Sequence, residues 1–199
     1  MRVGLFGGTF DPIHTGHLVV AMLAKEALNL DKVYFIPAGV PPHKRDKRIT
    51  EGIHRYRMVQ LAIQGYDEYE VLDWELKQNQ PSYTVDTLSW YCRTHPSHDP
   101  FFIMGADMLL DLPNWQKADR VIELTDIIAV TRPGFNQAMS EQYLRLLPAS
   151  WRKHIHFVDM PGLEISSTWL RERLDQGLSV AHLVPDRVIC YIKENRLYG

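Results

Sequence analysis

The sequence predicts a doubly wound α/β domain, a parallel sheet flanked by helices. Three observations predict it. Short apolar runs, sized for buried strands, alternate with longer segments of helical apolar spacing along nearly the whole chain. The first strand–helix–strand cycle closes within about 36 residues, the size of a βαβ unit, which demands parallel strands. Turn residues also punctuate the junctions, as at Gly7-Gly8, Pro37 and Gly105. About five strands alternating in this way argue for a Rossmann-like sheet, whose ligands bind outside the carboxyl ends of the strands.

The elements follow in order. Val3 to Phe6 is a compact apolar run that stops at Gly7-Gly8, a first strand. From Thr15, "TGHLVVAMLAKEALNL" places Leu18, Ala21, Met22 and Leu28 near helical spacing, with Thr15 as the N-cap. "KVYFIP" (32–37) is the second strand. A proline-rich basic loop, "GVPPHKRDKR" (39–48), leads to the helix "GIHRYRMVQLAI" and the strand "YEVLDWEL". "TVDTLSWYCRTH" is a helix and "PFFIMG" a buried strand. "WQKADRVIELT" is a helix, "DIIAVTRPG" a strand running into a loop, and "HIHFVDM" the last strand. "SSTWLRERLDQG" is a helix with Gly177 as its C-cap, and "PDRVICYIKENRLYG" a helix with Pro185 near its first turn.

Composition bounds the function. The 199 residues are 45% hydrophobic and 23% charged, enough for one sizeable core, so residues 1–199 are expected to form one domain. A formal net charge of −2 does not describe a nucleic-acid binder, although a small anionic ligand fits a locally basic pocket. The two cysteines, Cys92 and Cys190, are far apart and form no C-x-x-C, which excludes a cysteine zinc site and argues against a disulfide framework. "MRVGLFGG" lacks a secretory apolar core and no run of 18 apolar residues exists, so a cytoplasmic protein without a membrane span is expected.

The chemistry gathers in "GTFDPIHTGH" (8–17). His14 and His17 stand three apart with a glycine between them, whereas helical zinc pairs stand four apart and carry a glutamate. No third ligand is apparent nearby. Gly7 and Gly8 let the backbone turn tightly and present bare N–H groups, and the following helix points its positive end at the same place. Two imidazoles beside bare amides suit anionic oxygens. The pattern is neither a Walker A loop nor a dinucleotide fingerprint. The readings open here are phosphate contacts, metal ligands of a hydrolase or phosphatase, and structurally satisfied histidines.

"GGTFDPIHTGH" resembles the [ST]-F-D-P-x-H-x-G-H signature of the nucleotidylyltransferase superfamily, and "ISSTWLR" (165–171) resembles its second signature, I-S-S-T-x-x-R. Hydroxyls and amides at a helix start, with an arginine one turn on, suit the β- and γ-phosphates of ATP. "VPPHKR", "PSYTVDTL", "MGADMLLDLPNW", "TRPG" and "LVPDRVICYIKENRLYG" are similar, in this order, to the bacterial nicotinate-mononucleotide adenylyltransferases, so the resemblance covers essentially the whole chain. Phosphopantetheine adenylyltransferases share the histidine signature but lack the "ADMLLDLPNW" stretch.

The resemblance implies adenylyl transfer from ATP, accompanied by Mg²⁺ held by nucleotide oxygens and water rather than by protein ligands. It assigns His14, His17, Lys44 and Arg171 to catalysis. It assigns Gly7, Gly8, Thr9, Phe10, His14, His17, Gly105, Asp107, Ile165, Ser166, Ser167 and Arg171 to ATP. The acceptor, nicotinate mononucleotide, would meet Gly8, Thr9, His43, Lys44, Tyr83, Thr84, Trp115, Gln116 and Arg132. Trp115 would stack on its ring, and N–H groups near Thr84 and Gln116 would hold its carboxylate. Gly105 would let the nucleotide approach closely beside Asp107. The basic 39–48 loop is expected to close over phosphates. Nicotinamide mononucleotide as acceptor, a phosphopantetheine acceptor and a non-catalytic nucleotide sensor are the alternatives; homo-oligomerisation is left open.

Overall fold

The computed structural model describes residues 1–39, 49–78, 81–131 and 134–199. Six strands are present: β1 (Arg2–Gly8), β2 (Lys32–Pro37), β3 (Tyr69–Val71), β4 (Asp99–Gly105), β5 (Asp126–Val130) and β6 (Ile155–Val158). They form one sheet in the order β3-β2-β1-β4-β5-β6. β1 pairs with β4, β4 with β5 and β5 with β6, all parallel. The strand order reverses direction at β1, the switch point at which a doubly wound sheet opens a crevice. The helices are α1 (Thr15–Ala27), α2 (Gly52–Ala62), α3 (Thr84–Thr94), α4 (Ala118–Leu124), α5 (Gln137–Leu146), α6 (Ser167–Asp175) and α7 (Asp186–Glu194). The fold class expected from the alternating pattern is the one observed. Among the described residues no helix is long and apolar enough to cross a membrane.

The chain groups into two compact units. The first takes Met1–Gly7, Val20–Val33 and Tyr83–Leu163. Its strands are buried on both faces, which is why they read as unbroken apolar runs: Val3 and Leu5 in β1, Phe101 to Met104 in β4 and Ile127 to Val130 in β5 are all buried. A side chain at Gly4 would meet Ile103 Cδ1 at 2.8 Å, so glycine there sets the close packing of β1 on β4. Leu88 and Tyr91 of α3 and Val121 of α4 are fully buried. Asp126 accepts from both His154 Nδ1 (2.8 Å) and His156 Nε2 (2.7 Å), tying the starts of β5 and β6.

The second unit takes Gly8–Val19, Tyr34–Ser82 and Glu164–Gly199. Phe10, Ile13, Phe35, Ile36, Met58, Val59, Leu170, Val184, Val188 and Ile192 form its core. Thr15 anchors the start of α1: its N–H donates to the Leu183 carbonyl at 2.8 Å and its hydroxyl to that of His182 at 3.1 Å.

Several boundaries differ from the sequence expectation, each for a local reason. Thr15 does not cap its own helix; its hydroxyl is spent on His182. β3 stops at Val71 instead of running to Leu76, because Trp74 takes a helical conformation and residues 75–77 form a single 3₁₀ turn, supported by the Asp73–Lys77 ion pair at 2.8 Å. Trp115 to Lys117 precede α4 rather than open it, since Lys117 is left-handed at φ 52 and a right-handed helix cannot continue back through it. Pro185 is the N-cap of α7, next to the first helical position as expected. α7 ends at Glu194, and Arg196 (φ 50) and Tyr198 (φ 65) turn the chain back. Helix α5 was not expected; the Asn136 side chain caps it, accepting from the Met139 N–H at 3.1 Å.

Candidate active site

The histidine turn lies in the second unit. Gly8 is followed by Phe10 in the left-handed conformation, φ 49, and the Phe10 ring turns back over Gly8; a Cβ there would stand 2.8 Å from Phe10 Cζ. Phe10 is 1% exposed and meets Phe35 in the core. Its ring also meets the His17 ring edge to face, at 5.0 Å and 84°. On its other flank His17 stacks with His14, with ring centroids 3.7 Å apart and planes 23° from parallel. The signature spacing therefore makes one stacked imidazole pair, set against an aromatic wall.

Gly16 makes the stack possible. A Cβ at Gly16 would stand 3.0 Å from His14 Nδ1 and 3.1 Å from its Cε1. The His14 ring packs so closely on Gly16 that a side chain there would force it to give by a few tenths of an ångström.

Hydrogen bonding sets the proton positions. His17 Nδ1 accepts the His14 N–H at 3.3 Å, which leaves the proton of the neutral His17 ring on Nε2, a donor for an anionic oxygen. His14 Nδ1 is buried and without a hydrogen-bond partner among the described residues, a penalty that native structures keep mostly at sites with a task. Burial lowers the His14 pKa to about 4. Burial, and secondly the neighbouring His14, hold His17 well below its ordinary value. Both rings are neutral at pH 7.

The second signature is docked onto the first. Ser166 caps α6, accepting from the Trp169 N–H at 3.2 Å. Ser167 instead turns its hydroxyl to the Pro12 carbonyl, 3.0 Å away. Arg171 Nη1 donates to the Asp11 carbonyl at 2.6 Å and Nη2 to Thr168 Oγ1 at 3.3 Å. Ile165 abuts the space over Gly16. Two motifs whose bonds span 155 and 160 residues of sequence thus share one small surface.

Sequence reasoning missed three residues that hold this surface. Arg55, 2% exposed, donates to three carbonyls: Thr50 (2.8 Å), Thr9 (2.9 Å) and Gly39 (3.4 Å). Burial pulls its pKa down, while Asp11, Tyr198 and Glu75 push it back up. A signal existed: Arg55 falls on the buried stripe of α2 with Met58, Val59 and Ala62, and a charge on an apolar stripe calls for partners. Asp11, 3% exposed, accepts from the Thr50 N–H and the Tyr198 hydroxyl. Nothing local in the sequence pointed to Tyr198.

The remaining site residues lie in the first unit. Gly7 lies against the Phe102 ring, and Phe102 meets the half-buried Trp115 edge to face at 6.1 Å. Gln116 is exposed. Thr84 is the first residue of α3, after an exposed Tyr83, so its region does offer helix-start N–H groups. The space a Gly105 side chain would fill is taken by the Asp107 carboxylate, its Oδ1 at 2.5 Å. His43, Lys44 and Arg132, and the 40–48 part of the basic loop, lie outside the described residues. Among the described residues no group of three His, Cys, Asp or Glu side chains could hold a metal ion.

Comparison with known proteins shows the family. A cytidylyltransferase-like family model matches residues 5–173. Probable nicotinate-nucleotide adenylyltransferases are similar over the full chain. That of Desulfitobacterium hafniense is 41% identical, covering 99% of this chain and 95% of the relative. That of Clostridium tetani is 40% identical, covering 99% and 98%. The chain belongs to the nicotinate-nucleotide adenylyltransferase branch of the cytidylyltransferase-like family. The fold of this family is also that of a Plasmodium falciparum nicotinic acid mononucleotide adenylyltransferase solved with NaAD. That structure has a TM-score of 0.81 and 22% identity, covering 99% of this chain and 97% of the other.

Two predictions follow from the imidazole pair. The folded state binds fewer protons than the unfolded one between pH 6.5 and about 4, because the His14 pKa is depressed; stability is therefore full above pH 6.5 and is lost as pH falls toward 4. Denaturant unfolding across that range should show it, and His14→Asn should flatten the slope. Gly16→Ala would ordinarily strengthen a helix. Here the added Cβ displaces the His14 ring, so affinity for ATP, measured by calorimetry, should fall about tenfold. Unchanged affinity would show that the stack does not depend on Gly16.

Proposed function

We propose that the chain transfers the adenylyl group of ATP to nicotinate mononucleotide, giving nicotinate adenine dinucleotide and pyrophosphate in NAD biosynthesis. The observation that carries the reading is the junction of the two motifs, where Ser167 bonds to Pro12 and Arg171 to Asp11 beside the stacked histidines. It builds one anion cradle from neutral donors and a guanidinium. The choice of acceptor is supported by relatives about 40% identical over nearly all of the chain and by the order of the acceptor motifs. We also read residues 1–199 as one nucleotidylyltransferase domain, since the family match at 5–173 runs unbroken through segments of both units.

The 5′-phosphate oxygen of the acceptor attacks the α-phosphorus of ATP. A new P–O bond forms as the α,β-bridging P–O bond breaks, and its electron pair leaves on pyrophosphate. The nucleophile is already an anion, so the step needs no general base. Catalysis is positioning and charge stabilisation. His17 Nε2–H and the His14 ring meet the α- and β-phosphate oxygens. Lys44, Ser167 and Arg171 face the departing pyrophosphate. Gly8, Thr9 and Phe10 turn the backbone around the phosphates, and Asp107 meets the adenosine ribose. A divalent cation accompanies ATP in such transfers; we read it as Mg²⁺, which would be held largely by phosphate oxygens and water and would neutralise phosphate charge. On the acceptor, Tyr83, Thr84 and Gln116 hold the carboxylate, Trp115 the ring, and His43 and Arg132 the phosphate. A cytoplasmic location belongs to the same reading.

Pyrophosphate release should be fast with Mg-ATP and nicotinate mononucleotide, and slow with nicotinamide mononucleotide or phosphopantetheine. A carboxamide brings N–H donors to a site built of donors, a mismatch that discriminates strongly. His17→Ala should fold normally and lose about a hundredfold or more in kcat. Release with another acceptor alone would move the acceptor assignment, and near-wild-type turnover in His17→Ala would reject the role given to the pair.

A further inference from the structure

Arg171 is doubly engaged by one residue. Its Nη1 donates to the Asp11 backbone carbonyl at 2.6 Å, while the Asp11 carboxylate stands 4.0 Å from the same nitrogen. Close carboxylate–guanidinium pairs stand at about 2.8 Å. The carboxylate therefore lies roughly an ångström short of closing on the cation. Its surroundings favour closure, since Asp11 is 3% exposed and has little water to turn to. Yet the guanidinium charge is what the pyrophosphate needs.

Two donors hold the carboxylate where it is. Oδ2 accepts the Thr50 N–H at 3.3 Å, and Oδ1 accepts the Tyr198 hydroxyl at 2.5 Å. The second is the shorter bond, and it comes from the segment after α7. That segment is bent for the purpose. Arg196 and Tyr198 both take left-handed conformations, φ 50 and 65, which side-chain-bearing residues keep only where their surroundings compel it. The bend returns the Leu197 N–H to the Ile192 carbonyl at 3.0 Å and sets the phenol against Asp11 and, at 4.0 Å, the Met58 sulfur. Thr50, Arg171 and Tyr198 line one cavity. Burial and the facing carboxylate raise the Tyr198 pKa above its ordinary value, so the hydroxyl keeps its proton and remains a donor.

We propose that Tyr198 is a positioning residue for adenylyl transfer: its hydroxyl holds the Asp11 carboxylate off Arg171 and so keeps the guanidinium charge available to the β- and γ-phosphates of ATP. The inference rests on the proposed function. It assigns Tyr198 no contact with substrate; the phenol acts through Asp11.

The test is Tyr198→Phe, which removes one oxygen and leaves the ring in its packing. ATP affinity is measured by calorimetry and turnover by pyrophosphate release. With the hydroxyl gone, the carboxylate closes on Arg171. ATP affinity and kcat/KM for ATP fall about tenfold, while KM for nicotinate mononucleotide stays at its wild-type value. Adding Asp11→Asn removes the competing charge, so the double variant regains most of the ATP affinity that Tyr198→Phe loses. A merely structural tyrosine predicts the opposite, a parallel loss for both substrates and a deeper loss in the double variant, and either result overturns the inference. Wild-type ATP binding that Tyr198→Phe leaves unchanged overturns the inference alone. Wild-type protein that binds no ATP overturns the proposed function and this inference with it.

Discussion

The histidine turn depends on a buried guanidinium. Between Gly8, whose carbonyl accepts the Ala38 N–H, and His14, whose carbonyl accepts the His17 N–H, residues 9 to 13 form no regular structure, so carbonyls there turn to side chains. Arg171 serves Asp11 and Ser167 serves Pro12, while Arg55 serves Thr9 and ties it to the carbonyls of Gly39 and Thr50. A lysine has one charged nitrogen and could not span three acceptors in a plane. Burying a cation is costly, and the depressed Arg55 pKa records that cost. What it secures is a turn whose geometry is fixed before any ligand arrives. Preorganisation of that kind is what stabilises developing charge without reorganisation at the moment of reaction.

The same logic runs through the cradle. Gly16 leaves room for His14. His14 stacks on His17, and Phe10 meets His17 edge to face. Ser167 and Arg171 then fasten α6 to the carbonyls of Pro12 and Asp11. Each ring is neutral when free because burial disfavours its charge. On the proposed reading an arriving triphosphate weakens that preference, since a nearby anion raises the pKa of each ring. Donors that are uncharged without substrate and strengthened by it suit transfer between phosphates, where a permanently charged pair would also hold the product.

Much of this was legible in the sequence, and the boundary of legibility is physical. Alternating apolar runs gave the fold class, because strands covered on both faces must be apolar throughout. β2 was read to the residue, since its buried run is bounded by Lys32 and Pro37. The two signatures were recognisable because their glycines, histidines and hydroxyls are local in sequence. Conformations set by distant partners were not readable. Thr15 looks like a cap until His182 takes its hydroxyl. Trp115 looks helical until Lys117 turns left-handed. Tyr198 looks like the end of a helix until the chain bends back to Asp11. Arg55 stands between these cases: its place on the stripe of α2 marked it, but its three acceptors come from segments the stripe does not reveal.

On the proposed reading, His14 and His17 are neutral phosphate donors held by a rigid turn. This is tested most directly by following the ring resonances of the two histidines against pH by NMR, with and without Mg-ATP. The account predicts that in the free protein His14 stays neutral down to about pH 4, and that Mg-ATP raises both transitions. Titration of either ring near its ordinary value of about 6.5 in the free protein, or transitions that Mg-ATP leaves where they were, would contradict it.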